Sequence, residues 1–251
     1  MRLLRRLVLG LALAFGTALA ASATHAATIQ AAVAANFTQV ATDLAARIKE
    51  KTGNEVQLSF GATGALYTQI TQGAPFEVFL SADDKRTKIA IKDGFGVEGT
   101  DFTYAVGRVA LYSPTIDVTD GEAVLKANAF QHIAIADPKA APYGAAGMAV
   151  LGKLGLTEAV TPKIVTGESI TQTLQFVDSG SAELGFVALS QVVGKPASQV
   201  WLPPQEDYPA IRQNAVLLKT GADDDVARAF LDYLKSEEAV AVIEASGYRL
   251  E

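Results

Sequence analysis

Short, wholly apolar runs alternate along this chain with segments whose apolar residues recur every three or four positions. Thr28–Ala34 is apolar over most of its length and reads as a buried strand. Phe37–Lys51 places Phe37, Val40, Ala41, Leu44 and Ile48 on one helical face and stops at Gly53-Asn54. Glu55–Phe60 is a second strand. The small, uncharged turn Gly61-Ala62-Thr63-Gly64 then opens a helix over Ala65–Gln72, with Leu66 and Ile70 facing inward. Phe76–Leu80 is a third strand, and Ser81-Ala82-Asp83 caps the helix Asp84–Lys92. The order β-α-β-α-β-α predicts a largely parallel sheet covered by helices.

The pattern then starts again. Tyr104–Tyr112 is a long apolar segment interrupted by Gly107-Arg108, suited to crossing from one lobe to another. Thr119-Asp120 caps a short helix ending at Leu125, and His132–Ala136 is a buried strand broken by Asp137-Pro138. Pro142-Tyr143-Gly144 opens the helix Ala145–Leu154. After the strand Lys163–Val165, the stretch Thr166–Ile170 opens the helix Thr171–Asp178. Gly185–Val187 is a further strand, followed by a short helix over Ala188–Val193. Ala210–Leu218 is apolar enough to be a returning strand, and Asp223-Asp224 and Ser236 cap the last two helices. The predicted fold is α/β with two lobes: residues 27–107 and 213–251 form the first and residues 108–212 the second. Two connections between lobes leave a cleft and permit hinge closure. Ligands of open α/β sheets bind at the carboxyl ends of the strands, where four strand–turn–helix junctions of this chain should meet.

Residues 1–26 stand outside this pattern. Arg2, Arg5 and Arg6 precede an apolar run from Leu7 to Ala21, and Thr24-His25-Ala26 ends in a small residue, as in a secretory signal peptide. Its removal takes away three of the chain's 21 basic residues and none of its 27 acidic ones, leaving a formal charge of −9. That balance argues against a nucleic-acid or anionic-membrane partner. A dry pocket lined by dipoles sets its own potential, so acidity does not exclude a small anion. The chain has no cysteine, and processing leaves His132 as its single histidine, which removes thiolate and His-rich metal sites from consideration.

The junction residues are Asn36, Thr63, Tyr143 and Ile170, with Ala35, Gly61, Gly64 and Gly144 beside them. None is charged. Taken singly, Asn36 and Thr63 read as helix caps, Tyr143 as a packing residue with its hydroxyl at the rim, and Ile170 as core. Taken together, they can offer an oxyanion hydroxyls, an amide and the free N–H groups of helix N-termini. With no carboxylate in the first two turns to accept a proton, such a seat favours a fully deprotonated tetrahedral anion over a protonated phosphate. Sulfate, molybdate and tungstate all satisfy that description. A secreted hydrolase using Ser169 or Ser59 with His132 is the alternative of a different class, although neither serine lies in a Gly-x-Ser-x-Gly turn. A signalling receptor subunit of the same fold is a third.

Several segments together resemble the periplasmic molybdate-binding proteins of ABC importers, over essentially the whole of Ala27–Glu251. They are Ala32–Phe37, Ser59–Ile70, Gly73–Asp83, Ile135–Pro138 with Pro142–Gly144, and the closing Phe230–Lys235. The resemblance implies the type II periplasmic-binding-protein architecture and capture of molybdate, with tungstate beside it, for delivery to a membrane permease and its ATPase. It implies no enzymatic activity, no cofactor, no metal beyond the molybdenum of the anion, and a monomer in the periplasm. Carried over by position, Ala35, Asn36, Thr63, Tyr143 and Ile170 hold the anion, Ile170 through its N–H. One departure is Ala188, after Gly185-Phe186-Val187, where some members place a tyrosine. Tyr143 is then expected to supply the phenol from the opposite side.

Overall fold

The computed structural model describes residues 26–251, so the expected leader lies outside the described residues except for its last position. The first lobe runs β1 (Thr28–Ala34), α1 (Thr38–Thr52), β2 (Glu55–Gly61), α2 (Thr63–Thr71), β3 (Val78–Ser81), α3 (Asp84–Lys92) and β4 (Phe102–Gly107). After Arg108 the chain enters the second lobe with β5 (Val109–Tyr112), α4 (Gly121–Ala127), β6 (Ile133–Ala136), α5 (Pro142–Lys153) and α6 (Thr157–Val160). β7 (Ile164–Gly167), α7 (Ile170–Asp178), β8 (Leu184–Ala188), α8 (Leu189–Val192) and β9 (Val200–Trp201) complete it. β10 (Ile211–Leu217), α9 (Asp225–Tyr233) and α10 (Glu237–Ala245) return to the first.

Both lobes are built on one plan. The first sheet has the order β2-β1-β3-β10-β4 and the second β7-β6-β8-β5-β9. In each, three strands joined through helices are parallel, a fourth (β10 or β5) runs against them, and the edge strand beyond it (β4 or β9) pairs antiparallel with the fourth and so runs with the first three. The reversed strand of each sheet is the one on which the chain enters that lobe from the other, β5 in the second and β10 in the first. The segment read as one strand over Tyr104–Tyr112 is thus two, β4 and β5, divided between the sheets at Arg108. The returning strand begins at Ile211, two residues before the expected boundary.

The interior apolar runs became strands because both of their faces are covered. Ile29, Ala31 and Val33 of β1 pack with Val40, Ala41 and Leu44 of α1 and with Phe230 and Leu231 of α9. Phe79 of β3 packs on the other side with Leu66 and Ile70 of α2. In the second lobe Ile133, Ile135 and Phe186 pack with Ala146, Val150 and Leu151 of α5. Trp201 also belongs to this lobe's packing, its indole lying against Gly121. The predicted caps Asp83, Asp120, Asp224 and Ser236 accept backbone N–H groups in the first turns of their helices.

Candidate functional site

The ends of the parallel strands stand level within each sheet. Ala34 of β1 pairs with Gly61 of β2, and Ala136 of β6 with Gly167 of β7. At each of these four ends the chain turns into a helix, and the four turns enclose one small cavity between the sheets. Ala35, Asn36, Thr63, Tyr143 and Ile170, the five residues predicted from the sequence, all line it. Three alanines, Ala34, Ala62 and Ala141, line it with them.

Those alanines occupy cap positions. Ala34 precedes the 3-10 turn Ala35–Phe37 that leads into α1, Ala62 precedes α2, and Ala141 precedes α5. None offers a side-chain acceptor, so the first N–H groups of these helices, which have no partner within the helix, remain for another acceptor. One of them is already taken: Gly64 donates its N–H to the Ala140 carbonyl at 2.9 Å. At α7 the Ser169 hydroxyl accepts from Gln172 and leaves the N–H of Ile170. Asn36 and Thr63 are therefore not caps. The helix expected to begin at Ala65 begins at Thr63, so Thr63 and Gly64 sit within its first turn.

Thr63 is buried, and its Oγ1 accepts the Ala82 N–H at 3.0 Å. A hydroxyl that accepts one bond still has its own proton to donate, and that proton is the side-chain donor the junction supplies. Asn36 behaves differently from expectation. Its Nδ2 donates to Gln213 Oε1 at 2.8 Å and to Tyr248 Oη at 2.9 Å, which uses both amide hydrogens. Its carbonyl accepts from Tyr248 Oη at 2.8 Å and from Ser190 Oγ at 2.9 Å. The backbone N–H of Asn36, in the 3-10 turn Ala35–Phe37, is not used by this network. Burial, partly offset by its bonds to Ser190 and Asn36, pushes the Tyr248 phenol up to about 12, so it stays protonated as this network requires.

Tyr143 is placed with its side chain away from the other junctions. It lines the cavity as the second residue of α5, but its hydroxyl lies against Gly107, where an added Cβ would stand 2.0 Å from Oη. That hydroxyl is buried without a hydrogen-bond partner. Burial, reinforced by the neighbouring phenols of Tyr248, Tyr104 and Tyr208, holds its ionisation well above the usual tyrosine range. The phenol is thus turned toward the crossover between the lobes, while the Tyr143 N–H lies in the first turn of α5, which no side chain caps. Ala188, the expected departure, is buried at the start of α8 with its N–H on Gln191 Oε1 at 3.0 Å.

No residue lining the cavity carries a charge. Glu168, near the fourth junction, is exposed, and the Asp137 carboxylate accepts the Lys139 N–H at 2.9 Å. Among the described residues no group of histidines and carboxylates is placed to hold a metal ion. His132 is exposed at the first end of β6, with its N–H on Glu183. Ser169 follows the far end of the parallel neighbour β7, about 13 Å away at the rise of a four-residue strand. A triad cannot form across that distance.

The lobes meet around the cavity. Besides the Gly64–Ala140 bond, Arg86 Nη2 donates to the Lys139 carbonyl at 2.7 Å and Ser190 Oγ to the Asn36 carbonyl at 2.9 Å. Gln213, Tyr248, Ser190 and the alanine caps are the site residues that sequence reasoning missed. The alanines leave a signal, a helix start without a capping residue. Gln213 stands between Arg212 and Asn214 in the polar half of β10, and nothing local connects it to Asn36, 177 residues away.

Two lobes closed on a neutral cavity of unpaired backbone donors define a binding protein for a small anionic solute. The chain belongs to the bacterial extracellular solute-binding protein family, which it matches over residues 29–249. It is 53% identical to the molybdate-binding protein ModA of Rhodobacter capsulatus, over 96% of this chain and 94% of that one. Identity to the molybdate-binding protein ModA of Azotobacter vinelandii is 52%, over 96% and 97% of the two chains. The solved structure of an Azotobacter vinelandii periplasmic molybdate-binding protein superposes with a TM-score of 0.85 at 40% identity, covering 89% of this chain and 99% of that one.

Proposed function

We propose that the protein captures molybdate, and tungstate with it, in the periplasm and delivers it as a monomer to the permease and ATPase of an ABC importer. The observation that carries this reading is the set of uncapped helix starts on one uncharged cavity. A tetrahedral dianion accepts N–H groups from Asn36 and Thr63 of one lobe and Tyr143 and Ile170 of the other, plus the Thr63 hydroxyl. Its charge is met by four helix N-termini. With no carboxylate at the cavity, a protonated oxyanion would leave its O–H unpaired, at roughly 1–3 kcal/mol. Molybdate is favoured over sulfate by the names of the relatives, and its longer metal–oxygen bonds ask for a wider seat.

Donors from both lobes make the anion a bridge. It binds the closed form better than the open one, and that differential affinity shifts the population toward closure. The closed form is then the one a transporter would accept. Calorimetric titration of the ligand-stripped protein with molybdate, tungstate, sulfate and phosphate tests the reading. Tight binding of the first two and none of the last two is expected. Thr63→Ala should weaken molybdate roughly 10- to 150-fold, equivalent to about 1.5–3 kcal/mol for a charged acceptor, while Thr63→Ser should keep most of the affinity. Tight binding of sulfate with no response to molybdate would refute the assignment.

A further inference from the structure

An arginine beside an oxyanion seat is ordinarily its counter-charge. Arg86 stands close to this one and is turned away from it. It lies in the first turn of α3, where its N–H donates to Asp83 Oδ1 at 2.7 Å and its guanidinium pairs with the same carboxylate. The other arm of the fork reaches across the cleft, Nη2 donating to the Lys139 carbonyl at 2.7 Å. The same Nη2 lies over Gly64, 2.9 Å from where a Cβ on that residue would stand. Gly64 in turn donates its N–H to the Ala140 carbonyl at 2.9 Å. Two donors of the first lobe thus hold two successive carbonyls of the second, just before Pro142 and Tyr143 open α5.

We infer that Arg86 is a positioning residue for closure, a latch that draws the 137–141 loop, and with it the N–H groups at the start of α5, onto the first lobe. Asp83 neutralises the guanidinium, so Arg86 adds no free positive charge at the cavity and does not blur the selection by hydrogen-bond donors alone. The task needs a planar fork that serves the carboxylate and the carbonyl at once, which a lysine ammonium does less well. Both contacts exist only when the lobes are together. Their loss therefore appears in the rate at which the cleft opens rather than in the encounter with the anion.

The inference rests on the proposed binding of an oxyanion in this cleft, and its test separates the two. Molybdate association and dissociation are followed by stopped flow in wild type, Arg86→Gln, Arg86→Lys and, as a charge control on an exposed neighbour, Lys85→Gln. A latch predicts dissociation about tenfold faster in Arg86→Gln, the effect of one charged hydrogen bond, and a smaller rise in Arg86→Lys. Association and its salt dependence should match wild type in both, and Lys85→Gln should leave dissociation unchanged. Amide exchange at Gly64 in the molybdate-loaded protein should quicken in step with dissociation, a change that loss of global stability measured by denaturation would not mimic at one site. Unchanged dissociation in Arg86→Gln, or a slower association rescued by Arg86→Lys, overturns the latch. If wild type binds none of the oxyanions, the ligand assignment falls. The latch is then judged by small-angle scattering of the ligand-free proteins, where equal radii of gyration for wild type and Arg86→Gln overturn it.

Discussion

Gly144→Ala isolates the role of the α5 N-terminus. Gly144 is the third residue of that helix, and a Cβ there would stand 2.0 Å from the Ala136 carbonyl oxygen and 2.7 Å from its carbon. Both are backbone atoms at the end of a central strand and have little room to yield. Relief to even 3.0 Å requires the first turn of α5 to move by at least 1 Å. An N–H that sits about 2.9 Å from an anion oxygen would then sit near 3.9 Å, beyond hydrogen-bonding distance. Losing that one bond to a charged acceptor is worth about 1.5–3 kcal/mol, or roughly 10- to 150-fold in affinity. The overpacking itself destabilises by about 1–3 kcal/mol. At about 2–4 °C per kcal/mol for a protein of this size, the melting temperature falls by several degrees. Gly152→Ala is the matched control on the same helix, because its nearest neighbour is Thr157 Oγ1 at 3.7 Å. It should bind normally and melt slightly higher, by up to about 1 kcal/mol of helix propensity. Calorimetry with molybdate and a thermal melt on both variants decide the matter. Wild-type affinity in Gly144→Ala would refute the placement of the anion at the start of α5. An equal loss in Gly152→Ala would show that any stiffening of the helix suffices.

Two further outcomes follow from the same contacts. Tyr143→Phe should change molybdate affinity by less than about twofold and leave stability level or slightly raised, because the hydroxyl it removes is buried without a partner; a tenfold loss of affinity would place the phenol on the anion. Burial raises the half-buried Glu183 carboxyl, but the N–H groups of Gln131 and His132 at 2.9 and 2.8 Å outweigh it and bring the group below its ordinary range. A depressed carboxylate contributes fully above its unfolded value of about 4.3 and loses that contribution as pH falls through the lower folded value. Glu183→Gln should therefore be less stable by about 1 kcal/mol at neutral pH and show a shallower acid limb in urea unfolding, and parallel pH profiles would contradict it.

The sequence disclosed more of this site than of most binding clefts because its residues stand where elements change. Apolar runs fixed the four strand ends, and whatever follows a strand end in such a sheet faces the cleft, so Asn36, Thr63, Tyr143 and Ile170 could be placed without knowing their partners. What stayed hidden depends on partners far along the chain. The amide of Asn36 looks like a free donor until Gln213 and Tyr248, 177 and 212 residues away, take both its hydrogens. The phenol of Tyr143 looks like a ligand until Gly107, on the crossover between lobes, proves to be what it packs against. Side-chain direction at a junction is set by tertiary neighbours, whereas the direction of the first N–H groups is set by the helix itself. The second kind of information is local, and that is why the backbone part of the site was the part that could be read.

The alanine caps carry the same reasoning one step further. A serine, threonine or aspartate at a helix start is worth about 0.5–2 kcal/mol over alanine, and this chain uses such residues freely at Asp83, Asp120, Asp224 and Ser236. Ala34, Ala62 and Ala141 forgo that stabilisation at three starts that converge on one cavity. A capping oxygen at any of them would satisfy the donors internally and place a lone pair in the proposed seat of the anion. On the proposed reading, the stability left unclaimed at these three positions is the counterpart of affinity: apart from the Gly64 N–H, which the Ala140 carbonyl takes, the donors wait for the anion to pair them as the lobes close.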